Sequence, residues 1–314
     1  MNSYKNRTVL VTGGSGFIGA NLVRSLINQS AKVHLFLRPK AKIWRLTEII
    51  KKTKIYNVDI TDKQSIEKAI KKIKPQVIFH LAVYGAYPKQ ADFGTTIKTN
   101  IIGTVNLLEA IKNSQTVLVN TGTSSEYGCK NKPMKETDSL EPAFFYAASK
   151  AATSYLCRIF SQQFNQPIIT LRPFSIYGDW EEPERFVPTI INSCLKKQPI
   201  KLVAGKQVRD WLYVEDITRA YLMAGERSDL RGEIFNIGSG KQVLVSKVAR
   251  KIIKLINNPV PVKIGAYKPR QWEANNWQAD ISKAKKILSW EPKYNLEQGL
   301  KKTIAWWGNA GKAR

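Results

Sequence analysis

Short apolar runs alternate with amphipathic stretches over the first half of the chain. Residues 8–11, 32–37 and 76–82 form apolar runs of the length expected for buried strands. Residues 63–72 and 97–112 instead carry apolar side chains at helical spacing. Strand–helix units repeated at this interval predict an α/β fold with a parallel, doubly wound sheet.

The pattern continues and then changes. Residues 54–58 and 116–120 predict two more strands, and His80 lies inside an apolar strand, which indicates a packed core histidine. After Arg172 the chain becomes irregular, with an acidic, turn-rich stretch over residues 177–184. Beyond it we expect a helix over 186–197, a strand over 208–213 and a closing amphipathic helix over 296–307.

A glycine-rich turn follows the first strand directly. Residues 12–19 read Thr-Gly-Gly-Ser-Gly-Phe-Ile-Gly and open a predicted helix over residues 20–29. Gly13, Gly16 and Gly19 allow a tight turn, a close backbone approach to a pyrophosphate and close packing of helix on strand. The start of the helix also supplies N–H groups and a favourable dipole for phosphate. The sequence therefore predicts a dinucleotide-binding unit.

The residues after the second strand bear on the type of dinucleotide. An NAD-specific site places an acid near this point to bind the ribose 2′-hydroxyl, and none is present here. Arg38 offers a planar guanidinium for a 2′-phosphate, with Lys40 nearby. We therefore predict NADP as the cofactor, with NAD as the alternative. Asp59, at the end of the next strand, is placed to meet the adenine amino group.

Tyr146 and Lys150 are four residues apart, so on a helix their side chains share one face. A free tyrosine is a poor acid or base at neutral pH because its pKa is about 10, and lowering that value to about 7 requires about 4 kcal/mol in favour of the phenolate. A lysine ammonium beside the phenol and a cationic nicotinamide ring are suitable sources of that energy. The pair is thus a candidate acid/base centre.

Composition and charge exclude several classes of function. The net charge of +26 is compatible with nucleic-acid binding, but the basic residues are dispersed as pairs along predicted helices, without a basic tail or interleaved aromatics. We therefore expect a lysine-rich surface that favours anionic small molecules, and no nucleic-acid partner. No apolar run is long enough to span a bilayer, so we expect no membrane partner.

Histidine and cysteine are sparse. His34 and His80 are the only histidines, which argues against a Ser-His-Asp triad and against a histidine-rich metal site, so no metal is predicted. Three widely spaced cysteines, an odd number, favour a reducing compartment. The polar residues 1–7 carry no secretory pattern, and we expect a cytoplasmic location.

A hydroxyl-rich stretch over residues 121–128 follows the predicted strand 116–120, at the sheet edge where ligands bind in such folds. With this stretch in place, the chain resembles the extended short-chain dehydrogenase/reductase family, within its nucleotide-sugar epimerases, dehydratases and ketoreductases. The resemblance covers nearly the whole length. Its motifs are residues 12–19, 100–110, 146–150, 171–174, 209–216, 235–238 and 277–280.

The resemblance implies roles for individual residues. Tyr146 is the acid/base, Lys150 holds the nicotinamide ribose and favours the phenolate, and Thr123 binds the sugar oxygen, with Ser124 as the alternative. Asn100 supports the catalytic helix. With the residues derived above, the predicted cofactor contacts are Gly13, Gly16, Phe17, Ile18, Gly19, Arg38, Asp59, Ile60, Leu81, Ala82, Val83, Asn100, Thr121, Tyr146, Lys150 and Pro173.

The resemblance also implies a nucleotide-diphosphate sugar as substrate. Arg209 and Arg270 match positions that bind the diphosphate, and Glu273 matches an acid on the nucleotide ribose. Ser175 replaces the usual Asn after Arg-Pro-Phe, which puts that substrate contact in doubt. Tyr87, in a loop that is not a general family motif, is either a substrate contact or part of an ordinary aromatic loop.

The family resemblance implies two domains and a homodimer. We expect a Rossmann-type dinucleotide domain over residues 1–173 plus about 210–236, and a smaller α/β substrate domain over about 174–209 plus 237–314. Dehydratases of the family usually carry Glu where this chain has Ser125, with Glu126 shifted by one, which argues against 4,6-dehydration. We predict an NADP-dependent 4-keto-6-deoxysugar nucleotide reductase. The alternatives are an NAD-dependent 4-epimerase and a non-catalytic nucleotide-sensing or RNA-binding protein.

Overall fold

A computed structural model describes residues 3–87, 90, 92–203, 207–267 and 276–310. It contains the following strands: β1 Thr8–Thr12, β2 Lys32–Leu37, β3 Lys54–Asn57, β4 Val77–His80, β5 Val117–Thr121, β6 Ile168–Pro173, β7 Ser175–Tyr177, β8 Ile200–Val203, β9 Val208–Tyr213, β10 Glu233–Ile237, β11 Gln242–Leu244 and β12 Val262–Tyr267. The α-helices are α1 Phe17–Asn28, α2 Lys63–Ile73, α3 Phe93–Thr96, α4 Gly103–Ile111, α5 Phe145–Phe164, α6 Phe186–Leu195, α7 Val214–Gly225, α8 Val245–Ile256, α9 Ser282–Leu288 and α10 Leu296–Ala310. Short 3₁₀ turns lie at Ile50–Lys52 and Ser124–Tyr127, and a π-helical turn lies at Ile97–Ile102.

The seven-stranded sheet confirms the predicted Rossmann-type α/β fold. Its strand order is β10-β6-β5-β4-β1-β2-β3. The pairings from β3 through β6 are parallel, and the order reverses on either side of β1 and β4. In such open sheets, ligands bind at the carboxyl ends of the strands near the reversal.

Side chains on both faces of the sheet are buried, as the continuous apolar runs predict. On one face Leu10 and Ile78, which are partners in register, join a core cluster with Ile66 of α2 and Leu107 of α4. The neighbouring Phe79 points to the other face because successive strand residues alternate. There its ring contacts other aromatic rings, including Tyr221 of α7 at a centroid distance of 6.2 Å.

The chain divides into two compact units. The first comprises residues 1–126, 139–173 and 218–235, and the second comprises residues 127–138, 174–217 and 236–314. The second unit contains a three-stranded sheet of order β11-β9-β7 and a two-stranded pair of β12 with β8. The segment 127–138 therefore groups with the second unit, whereas the sequence assigns it to the dinucleotide domain.

The helix predicted over residues 97–112 begins earlier and is not uniform. Asp92 caps its start by accepting a hydrogen bond from the Thr95 N–H. Between α3 and α4 the chain forms the π-helical turn Ile97–Ile102, which includes Asn100. Single π turns inside helices are frequent at functional sites.

The described residues contain neither a membrane-spanning helix nor a cluster of metal-binding side chains. No described helix combines the length and the apolar character needed to cross a bilayer. Within the same residues, no group of three or more His, Cys, Asp or Glu side chains is placed to hold a metal ion.

Candidate active site

The glycine-rich turn joins the end of β1 to α1. Gly13 has a φ of +69°, and a Cβ at this position would collide with the Leu81–Ala82 backbone. A Cβ at Gly19 would collide with the Gly13 carbonyl oxygen. Helix α1 begins at Phe17, and its cap Gly16 makes no side-chain capping bond. The turn thus leaves backbone N–H groups of the first helical turn for an anion, which fits the pyrophosphate of a dinucleotide.

The basic residues after β2 differ in exposure. Arg38 and Lys40 are exposed. Arg45, which the sequence analysis missed, is buried, with its Nη1 3.4 Å from the Ser15 carbonyl oxygen of the glycine-rich turn and its guanidinium 4.2 Å from the Trp44 ring centroid. No local pattern marks Arg45, because its burial depends on contact with a turn 30 residues away.

The predicted adenine-side and strand-end contacts lie at the carboxyl ends of β3 and β4. Asp59 accepts hydrogen bonds from the N–H and the hydroxyl of Thr61, at 2.9 and 2.8 Å, so one of its oxygens stabilises its own turn. Ile60 is buried. After β4, the half-buried Leu81 and Ala82 donate backbone hydrogen bonds to Thr12. Val83 is half-buried beside them.

Tyr146 and Lys150 lie in the first turns of α5. Tyr146 is half-buried, whereas Lys150 is only 3% exposed. Thr123 and Ser124 are buried just beyond the carboxyl end of β5. Thr121, at that strand end, shares a 2.7 Å hydrogen bond with Tyr221, whose phenol interacts electrostatically with Tyr146.

A neutral network of hydrogen bonds connects β1 to α5. Its members are Thr12, His80, Thr104, Asn100 and Ser149. Their contacts run from Thr12 Oγ1 to His80 Nδ1 (2.7 Å), from His80 Nε2 to Thr104 Oγ1 (3.0 Å), from Thr104 to the Asn100 carbonyl (2.5 Å), from Asn100 Nδ2 to Ser149 Oγ (2.8 Å), and from Ser149 to the Tyr146 carbonyl (2.8 Å).

The donors of the neutral network follow one direction. Thr104 donates its hydroxyl hydrogen to the Asn100 carbonyl, so its oxygen accepts from His80 Nε2–H, and His80 Nδ1 then accepts from Thr12. Burial, together with the charge of Lys150, lowers the pKa of His80 to about 3, so its imidazole is neutral at physiological pH. Asn100 also binds the N–H and carbonyl of Tyr84, at 2.8 and 2.9 Å.

A second group of buried residues carries charge. This charged cluster consists of Glu126, Arg172 and Lys150. Glu126 Oε2 accepts a 2.8 Å hydrogen bond from Arg172 Nε, and both side chains are at most 2% exposed. Its Oε1 accepts a 2.8 Å hydrogen bond from the Thr123 N–H. In the sequence, Glu126 stands out only as a shifted acid, because its ionic partner lies 46 residues away.

Burial and charge act against each other within the charged cluster. Burial lowers the pKa of Lys150 to about 8, and the nearby Glu126 offsets part of that effect. Burial raises the pKa of Glu126, against the opposing influence of Arg172, the Thr123 N–H and Lys150. The cluster therefore holds the Lys150 ammonium one helical turn from Tyr146. Because this charge is weakly solvated, its electrostatic effect on nearby groups is strong.

The remaining predicted residues are distributed as follows. Pro173 is buried at the end of β6, and Tyr87 is half-buried, with its carbonyl accepting a hydrogen bond from the Gln90 N–H. In the second unit, Ser175 opens β7 and Arg209 lies on β9, both half-buried. Arg270 and Glu273 lie outside the described residues.

Arg209 contacts neighbours in the second unit, one of which, Trp277, belongs to another of the family motifs. Its guanidinium lies 5.4 Å from the Trp277 ring centroid, and its Nη1 donates to the Val208 carbonyl at 2.8 Å. The adjacent Asp210 is buried and accepts hydrogen bonds from Ser239, Gly240 and Ala279, which ties two other chain segments to β9.

Comparison with known proteins places this arrangement in a family. A sequence model of the NAD dependent epimerase/dehydratase family matches residues 9–238. The chain is 31% identical to a UDP-glucuronate 4-epimerase of Thermodesulfobacterium geofontis, covering 95% of each protein. It is 30% identical to a dTDP-glucose 4,6-dehydratase of Haemophilus influenzae, covering 95% of this chain and 97% of the relative.

A solved structure gives the same result for the fold. The dTDP-glucose 4,6-dehydratase of Bacillus anthracis, determined in complex with NAD, superimposes with a TM-score of 0.87 and 27% identity over 98% of each chain. The chain therefore belongs to the NAD-dependent epimerase/dehydratase family and is an enzyme of the extended short-chain dehydrogenase/reductase type, with a nicotinamide dinucleotide as its cofactor.

Proposed function

We propose that the protein is an oxidoreductase acting at C4 of a nucleotide-diphosphate sugar, and in the first place a reductase of 4-keto-6-deoxyhexose nucleotides. The observation that carries this proposal is the buried ammonium of Lys150 one turn from Tyr146, on a helix that the neutral network ties to the end of β1. The relatives named above, a UDP-glucuronate epimerase and a dTDP-glucose dehydratase, support a nucleotide sugar as the substrate class.

The proposed roles follow from position and chemistry. Thr123, or Ser124 beside it, donates a hydrogen bond to the sugar oxygen at C4, and Tyr146 gives or takes the proton on that oxygen. Lys150 lowers the cost of the Tyr146 phenolate through its positive charge. The nicotinamide, when bound, supplies or accepts the hydride. Arg209 and Arg270 bind the diphosphate in this proposal, and Ser175, Tyr87 and Glu273 contact the rest of the substrate.

Glu126 supports our preference for a reaction other than 4,6-dehydration. Eliminating water from the sugar requires a second proton-transfer group next to the substrate. The carboxylate of Glu126 is fully buried, and both of its oxygens are engaged, one by Thr123 and one by Arg172. Ser125, at the usual position of the family's acid, carries a hydroxyl in place of a carboxyl group.

The choice of cofactor separates the reductase from the epimerase. A reductase must exchange NADPH for NADP⁺, and the exposed Arg38 and Lys40 after β2 are suited to a 2′-phosphate. A 4-epimerase retains NAD, and this second candidate is favoured by the 31% identity to a UDP-glucuronate 4-epimerase. Replacing Arg38 with Asp should lower the NADP-over-NAD affinity ratio by about fivefold, since an exposed charge pair contributes about 1 kcal/mol. An unchanged ratio would remove the argument for NADP.

The experiment that tests the proposed reaction begins with the purified protein. Its cofactor is extracted and identified, and the protein is then incubated with dTDP-4-keto-6-deoxyglucose plus NADPH, with UDP-glucose and with UDP-glucuronate. Consumption of NADPH with the keto sugar supports the reductase, and C4 inversion with retained NAD supports the epimerase. Turnover of none of the three, with the cofactor bound, would contradict action at C4 of these sugars.

We also propose a cytoplasmic homodimer. Large apolar side chains are exposed on α3, the π-helical turn and α5, with Phe93 at 51%, Phe145 at 61% and Ile159 at 49%. The Phe93 and Phe145 rings lie 4.6 Å apart and form one apolar patch. A second copy packing helix on helix would cover this surface. Light scattering should give twice the chain mass, and Ile159→Asp should return the protein to a monomer; a monomeric wild type would contradict the proposal.

The free thiols of Cys129, Cys157 and Cys194 are consistent with a reducing cytoplasm.

A further inference from the structure

Glu126 lies in the 3₁₀ turn Ser124–Tyr127, immediately after β5, and its side chain is fully buried. A lone buried carboxylate is costly, and here it is matched by Arg172 on the neighbouring strand β6. Sequence neighbours explain neither the burial nor the pairing. The carboxylate of Glu126 contacts the backbone of Thr123, whose hydroxyl is the proposed sugar-binding group.

The carboxylate folds back under the start of the turn. Its Oε1 accepts the Thr123 N–H at 2.8 Å, and a Cβ at Gly122 would lie 2.6 Å from the same oxygen. Gly122 is therefore required for this close approach. The Ser125 N–H lies 3.3 Å from Thr123 Oγ1 and donates to it. With a lone pair of its oxygen occupied in this way, Thr123 keeps its hydroxyl hydrogen for another acceptor.

The same carboxylate also faces positive charge on α5. Lys150 is only 3% exposed, and Glu126 is the nearby charge that most favours its ammonium form. Arg172 satisfies the other oxygen of Glu126, so the carboxylate is held by one cation and one backbone donor. Lys150 interacts with it electrostatically, and also with the Cys157 thiol and with His80. An ion pair that only stabilised the fold would require neither the bond to Thr123 nor the charge facing Lys150.

We propose that Glu126 is a positioning residue, whose carboxylate fixes the Thr123 turn and supplies the negative charge that keeps the buried Lys150 in its ammonium form. This inference rests on the proposed function for its catalytic meaning. Its physical content, the charge state of one lysine and the geometry of one turn, can be tested without a substrate.

The test is a titration of Lys150 by NMR in full-length protein labelled with ¹³C-lysine. Most lysines titrate near pH 10, so a lysine with a pKa of about 8 is resolved from the rest, and its loss in Lys150→Met assigns the signal. In Glu126→Gln we expect the pKa of Lys150 to fall by about one unit or more, because the opposing carboxylate is gone while Arg172 remains. Glu126→Asp, which keeps the charge, should leave the value near that of the wild type.

A double variant protects the test against misfolding. Glu126→Gln leaves Arg172 buried without its partner, which is strongly destabilising, whereas Glu126→Gln/Arg172→Gln removes both charges together. We expect the double variant to recover thermal stability and to titrate Lys150 between the wild-type and the Glu126→Gln values. If Lys150 titrates as in the wild type in both variants, Glu126 is a fold-stabilising ion pair only and the proposal is overturned.

Turnover gives an independent readout with whichever of the three sugar nucleotides named above is converted. In Glu126→Gln the loss of kcat on raising the pH should begin about one unit lower than in the wild type, because Lys150 deprotonates earlier. KM should change less than kcat, and Glu126→Asp should restore the wild-type pH profile. Failure of the proposed function is distinguishable, since it would appear as full turnover in Tyr146→Phe whatever Lys150 does.

Discussion

The neutral network and the charged cluster both support helix α5, and they do so by different physical means. In the neutral network each hydroxyl, imidazole or amide group has a matched donor or acceptor, and His80 carries no charge at physiological pH. The charged cluster instead sets Glu126 against two buried cations. Lys150 interacts electrostatically with His80 and with Glu126, so the two groups meet at this side chain.

The neutral network therefore affects the position of α5, and the charged cluster affects the protonation of the groups on it. Neutral hydrogen bonds contribute about 1 kcal/mol each and depend on geometry, so the neutral network mainly fixes where α5 lies. Buried charges change the protonation of their neighbours, so the charged cluster mainly determines the charge beside Tyr146. If this division is correct, substitutions in the two groups should have effects that differ in size and in pH dependence.

The largest effect is expected from breaking the charged cluster at Arg172. Arg172→Met leaves the Glu126 carboxylate buried without its cation, and the free energy of unfolding should fall by about 3–5 kcal/mol. Urea denaturation at neutral pH measures this loss. Arg158→Met, at an exposed position of α5, is the matched control and should change stability by at most about 0.5 kcal/mol. Equal losses of stability at the two positions would show that the buried ion pair contributes no more than an exposed arginine.

A smaller, pH-dependent effect is expected from His80. Its folded pKa of about 3 lies below the ordinary value of 6.5, so the unfolded state binds the proton first as the pH falls below about 6.5. Wild-type stability should therefore decline between about pH 6.5 and pH 3, and His80 should account for about 2–3 kcal/mol of the decline by about pH 4.5.

The His80→Gln variant isolates that contribution. Stability is measured by urea denaturation of both proteins at neutral and at mildly acidic pH. The advantage of the wild type over the variant should shrink at the acidic pH, because glutamine does not titrate. His34, the other histidine, is present in both proteins and cancels. A constant difference at the two pH values would mean that His80 titrates normally, which would contradict a buried, neutral imidazole.

The smallest effect is expected from Asn100. Asn100→Leu removes the bonds to Ser149 and to the Tyr84 backbone and should lower kcat by about tenfold, because small displacements of a catalytic group are costly to the rate. The pH profile of kcat should not move, in contrast to Glu126→Gln. Asn106→Leu, a buried amide on α4 that binds only the Ile60 carbonyl among the contacts described, is the control for stability. A shifted pH profile in Asn100→Leu would erase the distinction between the two groups.

Local spacing accounts for the part of the site that the sequence predicts. The glycine turn lies between a strand and a helix, and Tyr146 and Lys150 are four residues apart, so each motif is contained in one element. The sequence also predicts the boundaries of β2 and β9, and for β2 the signal is a largely apolar run, which marks a buried strand. The mostly parallel seven-stranded sheet follows from the alternation of these elements.

Long-range contacts account for the part that the sequence does not predict. Glu126 and Arg172 are 46 residues apart, and His80 binds Thr12 at a separation of 68 residues, so neither pairing leaves a local pattern. The π-helical turn at Asn100 replaces part of a predicted regular helix because apolar spacing does not distinguish π from α turns. These contacts set the charge and position of groups that the motifs only identify.

In our proposal, Tyr146 transfers the proton that accompanies hydride transfer at the sugar. The most direct measurement compares wild type and Tyr146→Phe in a single turnover, followed by the absorbance of the reduced nicotinamide, with cofactor affinity measured in parallel. We expect similar cofactor affinity and a rate about 10²–10⁴-fold lower in Tyr146→Phe. A variant that binds the cofactor and turns over at the wild-type rate would contradict this role of Tyr146.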